Sequence, residues 1–250
     1  MKRLALNVMI LTAFMGGTAQ AKCNDKADQD VNWENCSKKL LMLQSAPLKG
    51  AKMTGSNLTS TDLTGAVLDQ ANMDFADISN ASLNGASMVG TSLLKTQGNR
   101  PTLMEANLSD AQMEAIELFR ADFTKAKLSK ANLSRASLPR ANFTMADMSG
   151  ANFEKSDVVR SQFDGANLTD VNFNFAILAR ARFKGAELGG SNWSNAYLYR
   201  SNLAGADLSG VKGLTSQQVS LACGNEDTKL PTGVDVPNPW PCSADTKAED

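Results

Sequence analysis

The 250-residue chain contains no histidine, which removes the side chain best suited to proton transfer near neutral pH and the commonest metal ligand. It has no C-x-x-C pair, no phosphate-binding glycine loop and no dinucleotide fingerprint. Net charge is also scarce. With 25 basic and 26 acidic side chains, the chain is not a general nucleic-acid binder. Beyond the first residues, no apolar run is long enough to span a membrane. Aromatics make up 6 % of the residues, so the places where they gather carry information.

What is present begins with MKRLALNVMILTAFMGGTAQAK. Lys2 and Arg3 precede an apolar run from Leu4 to Met15, and Ala19, Gln20 and Ala21 form a small-x-small site. This is the layout of a secretory signal peptide over residues 1–21, cut after Ala21. Lys22, before Cys23, fits poorly with a lipoprotein. Removing Lys2 and Arg3 takes the formal charge from -1 to -3. The mature protein is expected in the periplasm or outside the cell, without a membrane span. An even number of cysteines, Cys23, Cys36, Cys223 and Cys242, argues for disulfides in such a compartment.

Residues 131–143 read ANLSRASLPRANF. A small residue followed two places later by a large apolar one returns every five residues, a period that neither a strand nor an α-helix gives. Taking the large residue as a centre, the series runs Leu48, Met53, Leu58, Leu63 and onward to Leu208, and Gly98 alone is not apolar. Residues two apart on extended chain point the same way, so each small residue and its centre can share one interior. The remaining positions are polar and must turn a corner. A short extended side and a corner, repeated, make a solenoid.

Longer spacings give the number of sides. Phe123, Phe143, Phe153, Phe163, Phe173, Phe183 and Trp193 occupy alternate centres, while those between them, such as Leu128, Leu138, Met148 and Val158, hold no ring. Aromatic walls alternating with aliphatic ones suit four sides and twenty residues per turn. Arg100, Arg120, Arg140, Arg160, Arg180 and Arg200 repeat at the same twenty, each two places after a centre. Their preceding residues, Asn99, Phe119, Pro139, Val159, Ala179 and Tyr199, differ, so block duplication does not explain the column.

The units ANLSR, ANFTM, ANFEK, ANLTD and ADLSG match the pattern A(D/N)LXX, and the chain resembles the pentapeptide repeat family from Ala46 to about Val211. The resemblance implies an all-β fold, a right-handed quadrilateral parallel β-helix. The expected organisation is an N-terminal cap over 22–45, repeats over 46–212, and a C-terminal cap helix with a proline-rich tail over 213–250. About eight coils stacked ~4.8 Å apart give a rod roughly 40 Å long. Cysteines at opposite ends cannot meet, which pairs Cys23 with Cys36 and Cys223 with Cys242.

Trp33 and the leucine run of KKLLML are expected to form a lid at one end. At the other, Thr215 to Gln218 has capping-box spacing and begins a short helix. Val219, Leu221 and Ala222 supply its apolar contact, and Trp240 anchors the tail. Gly98, beside Thr91, Thr96 and Pro101 at small-residue places, predicts a distorted coil.

The carboxylate pair Asp74 and Asp77 and the asparagines before the centres, among them Asn132, Asn142, Asn152 and Asn192, read as corner supports rather than a site. No enzyme, cofactor, metal or small-molecule substrate is expected. The Arg column is the surface feature that stands out. Its arginines either lie flat and bond to coil carbonyls, or form a linear anion-binding edge about 25 Å long for an acidic protein or a polyanionic envelope partner. A DNA-mimicking topoisomerase regulator, which the family also includes, is the alternative. The export signal and the basic column oppose it, because mimicry needs a negative stripe. Homodimerisation through the C-terminal helix is a further expectation from relatives.

Overall fold

The computed structural model describes residues 22–240. The expected export signal and Cys242, the expected partner of Cys223, lie outside those residues.

The chain winds as a four-sided parallel β-helix. Asn32 bridges Lys52, Ser37 bridges Asn57, Met42 bridges Asp62 and Pro47 bridges Val67, all parallel, and four such ladders continue upward. The first runs unbroken, in steps of twenty residues, from Asn32 to Lys212. Each wall is one bridge wide except where β1 (Gln97–Asn99) pairs with β2 (Glu117–Phe119). There the expected distortion is absent, since Gly98 pairs in register with Leu118. Ile78 and Leu118 close over the missing side chain, and a Cβ on Gly98 would meet them at 3.1 and 3.2 Å.

The five-residue unit follows from how its backbone is satisfied. The Leu48 N–H donates to the Val67 carbonyl one coil later, and the Lys52 N–H donates to Val31 one coil earlier. Between them the Ala51 N–H closes a four-residue turn onto the Leu48 carbonyl. The third residue of that turn, Gly50, has φ +67°, as a type II turn requires.

Centres and small residues fill the interior. Phe123, Phe143, Phe163 and Phe183 stack face to face at 4.9–5.1 Å on one wall. From the opposite wall, Phe153 and Phe173 meet them edge-on at 5.9–6.5 Å. Most hydroxyls that replace a small apolar group bond inside, Ser56 being the exception. Thr91, Thr96, Ser161 and Ser201 donate to the carbonyls of Leu68, Met73, Leu138 and Leu178.

The coil reaches further toward the N-terminus than the repeat pattern suggests. Trp33 is a fully buried centre and Cys36 a small-residue position, within the stretch read as a cap. Lys38 at the next centre conceals the register. Its aliphatic stem lies inside, and its ammonium donates to the Cys23 carbonyl at 2.7 Å and sits 3.6 Å from the Trp33 ring centroid. Residues 22–27 cross the mouth of the coil, tied down by the Cys23–Cys36 disulfide and by the Trp33 indole N–H on the Asp25 carbonyl. The leucine run is not a lid. Leu40 falls at a corner and Met42 at an outward bridge position of the first coil, 75 and 71 % exposed, and Leu41, at a small-residue place, is still 39 % exposed.

At the far end, α1 (Ser216–Val219) carries the capping box between Thr215 and Gln218. The Gln218 side chain also donates to the Trp193 and Ala196 carbonyls, tying α1 to the last coil. Val219 and Ala222 are fully buried against the rod, whereas Leu221 points out. After α1 the chain rejoins the ladders, Cys223 on Asn202 and Lys229 on Asp207. Trp240 packs over Gly224, leaving no room for a Cβ there.

Candidate functional site

The residues singled out for possible acid–base or ladder chemistry are structural. Asp74 accepts hydrogen bonds from the Ser92 hydroxyl and the Leu94 N–H, and Asp77 accepts one from the Ser79 N–H. The side-chain oxygens of Asn132, Asn142, Asn152 and Asn192 each accept the N–H two residues on. Asn132, Asn152, Asn172 and Asn192 also link side chain to side chain from coil to coil at 3.0–3.3 Å. Outward carboxylates hold the same local bonds. The Ser209 hydroxyl and N–H, with Lys229, lower the Asp207 pKa to about 2, which stabilises a charge but does not prepare a proton carrier.

The six arginines all occupy the turn position with positive φ, from 54° at Arg100 to 62° at Arg140. Each backbone N–H bonds to the carbonyl of the next coil, as Arg140 does to Val159 and Arg160 to Ala179. The turn does not call for arginine, since Gly50, Asp110, Lys125 and Met145 occupy equivalent corners. A left-handed L-residue costs on the order of 1 kcal/mol where glycine would cost little.

Among the described residues, no side chain of the column makes an ion pair or hydrogen bond. One contact stands out: Arg120 lies 5.1 Å from the Phe119 ring centroid. Arginines lying flat on coil carbonyls are therefore not what the structure has. Off the column, Arg135 pairs with Glu114 and Arg182 with Asp164.

Beside the column runs a feature that the five-residue pattern does not reveal. The residues just before the arginines, Phe119, Pro139, Val159 and Ala179, form the floor of an open trough of about 380 Å³, and Arg140, Arg160 and Arg180 line it. The floor recedes along the rod. Phe119 is 41 % exposed and Ala179 8 %. One coil beyond Ala179 the floor rises again at exposed Tyr199, which stacks on Tyr197 at 6.2 Å. Asp157, on the adjoining wall, accepts the Val159 N–H and pairs with none of the arginines. The signal was present as apolar residues preceding four consecutive column arginines, but it recurs every twenty residues and is invisible at a spacing of five.

The family model described as pentapeptide repeats, eight copies, matches residues 46–85. A second, described as a pentapeptide repeat region, matches 116–193 and 136–212. Among solved structures, the chain is similar to HetL, a pentapeptide repeat protein involved in heterocyst differentiation regulation from the cyanobacterium Nostoc sp. strain PCC 7120. The two are 23 % identical over 83 % of this chain and 92 % of that one, with a TM-score of 0.44. It is similar also to QnrB1, a plasmid-mediated fluoroquinolone resistance protein, at 16 % identity over 80 % and 88 % of the two chains, TM-score 0.40. A pentapeptide repeat protein of the Arabidopsis thaliana thylakoid lumen is 31 % identical over 37 % of this chain and 64 % of its own, TM-score 0.26. No curated protein matches the chain.

Proposed function

This chain belongs to the pentapeptide repeat family, and we propose that it is an exported, non-enzymatic β-helical scaffold that docks an anionic partner along its Arg column. The observation that carries the reading is that, among the described residues, the side chains of Arg100, Arg120, Arg140, Arg160, Arg180 and Arg200 make no ion pair. Like charges one coil apart, at roughly 4.8 Å, repel by about 1 kcal/mol per neighbouring pair even in water. Among the described residues no carboxylate pairs with the column, so a ligand of opposite charge gains from the whole column at once.

Export is supported by the signal-like first residues and by the Cys23–Cys36 disulfide, a bond that persists in oxidising compartments. Among the described residues no helix is long and apolar enough to cross a membrane. The DNA-mimic reading is the weaker one, because residues 100–200 hold 13 basic and 11 acidic side chains and the ordered charge is positive.

The test is binding of poly-L-glutamate to native protein and to the variant Arg140→Glu/Arg160→Glu. The charge reversal is expected to weaken binding at least tenfold in low salt, with the difference shrinking as salt is raised. Equal binding by the two proteins counts against the reading.

A further inference from the structure

We infer that the occupant of the Arg-lined trough is an acidic amphipathic α-helix of a partner protein, lying parallel to the rod with its apolar ridge on Pro139, Val159 and Ala179 and its carboxylates on Arg140, Arg160 and Arg180. The inference rests on the anionic-partner reading and adds the shape and second chemistry of the ligand.

Two features select the partner together. The floor is apolar over successive coils, so the ligand must present apolar groups in a line. Along one edge stand guanidinium groups with no ion pair among the described residues, and Arg140 and Arg160 are only partly exposed. A partly desolvated fork without an acceptor is best satisfied by a carboxylate, which it can hold through two parallel hydrogen bonds. Poly-anions with no apolar side would satisfy the edge and leave the floor wet. A flat anionic surface would reach the arginine tips but not Ala179, which lies 8 % exposed below Phe119 and Tyr199.

Spacing decides between a helix and an extended strand. From Arg140 to Arg180 is two coils, about 9.6 Å at ~4.8 Å each. Two turns of an α-helix, from residue i to i+7, advance about 10.5 Å, so three carboxylates at i, i+3 or i+4, and i+7 stay within roughly an ångström of the three arginines. On a strand, same-side residues recur every ~6.7 Å. By the third arginine they have drifted almost 4 Å. Apolar residues at i, i+4 and i+7 of the helix meet the floor with the same register. A ridge of about three turns is closed off by Phe119 at one end and Tyr199 at the other.

The experiment uses the full mature chain and three probes at one ionic strength. The first is a labelled sixteen-residue helical peptide with leucines at i, i+4, i+7 and i+11 and glutamates along one flank. The second has the same composition with its leucines dispersed, and the third is poly-L-glutamate. Two variants are compared with native protein: Arg140→Gln/Arg160→Gln/Arg180→Gln, and Ala179→Tyr. The latter fills the floor with a ring that the same column already carries at Phe119 and Tyr199, so the coil accepts it. Unfolding midpoints confirm that both variants fold.

The ordered peptide is expected to bind native protein at least tenfold more tightly than the dispersed one. Ala179→Tyr should weaken the ordered peptide tenfold or more and leave poly-L-glutamate unchanged. The triple Arg variant should weaken both. If ordered and dispersed peptides bind alike and Ala179→Tyr changes neither, the helix is wrong while the anionic edge stands. If the triple variant binds every probe as native protein does, both readings fall.

Discussion

Phe143 and Phe163, twenty residues apart in sequence, stack with ring centroids 5.1 Å apart and planes within 6° of parallel. Phe163 repeats the contact with Phe183 above it and meets Phe153 and Phe173 edge-on across the interior. It thus touches four rings in a core that has no side-chain layer between opposite walls.

Replacing Phe163 by alanine should therefore open a cavity that neighbouring coils cannot fill without breaking their ladders. The expected loss is about 3–5 kcal/mol of unfolding free energy. Phe163→Leu, which keeps most of the volume, should lose less than half of that. Urea unfolding followed by far-UV circular dichroism measures both. Equal losses for the two variants would mean that the site relaxes and that the ring stack is not what fills the tube.

The N-terminal closure should depend on redox state. Cys23 and Cys36 close a loop with a sequence separation of 13, for which the entropic contribution is about 3 kcal/mol. Cys36→Ser, or reduction, should lower the unfolding midpoint and raise hydrogen exchange at Trp33 and Lys38 before it does so in coils above Leu58. Unchanged exchange at Trp33 would show that residues 22–27 stay in place without the bond.

Lys38 gives a pH test with a definite sign. Burial lowers its pKa below the ordinary 10.5, and Asp25 opposes this in part. A base whose folded pKa is depressed weakens the fold while it is charged in both states, and that penalty fades as pH rises toward the unfolded value. Native protein should therefore gain stability relative to Lys38→Met between neutral pH and about 10.5. Paired urea titrations at pH 7 and pH 10 measure it, and a constant difference contradicts the burial.

Most of this architecture is legible in the sequence because a solenoid makes long-range contacts periodic. Ala and Leu two apart face inward, twenty residues return to the same wall, and Phe123 through Trp193 mark the opposed pair. Thr215 and Gln218 announce their helix through local hydrogen bonds. The parts that stay hidden are those where the period is masked or irrelevant. Lys38 and Trp33 at centres conceal the first coils, since a lysine does not register as an interior residue until its ammonium is seen resting on Trp33 and the Cys23 carbonyl.

Gly98 looks like a defect, yet the residues above and below it supply the missing volume. The arginines are identifiable as a column, with Glu117 and Asp157 the only carboxylates three residues before any of them, whereas whether those two pair with it depends on where they aim. The trough required both the column and its preceding residues to be placed in space together.

The central claim is that positions twenty apart are direct neighbours on one edge. Introduce cysteines as Arg140→Cys/Arg160→Cys in one variant and Arg135→Cys/Arg140→Cys in another, oxidise mildly, and map the bonds by mass spectrometry. With stacked coils the first pair sits about 4.8 Å apart, within disulfide reach, and closes in high yield, while the second, on adjacent corners, stays reduced. Cross-linking of the five-apart pair and not of the twenty-apart pair would contradict the coil, the Arg edge and the trough together.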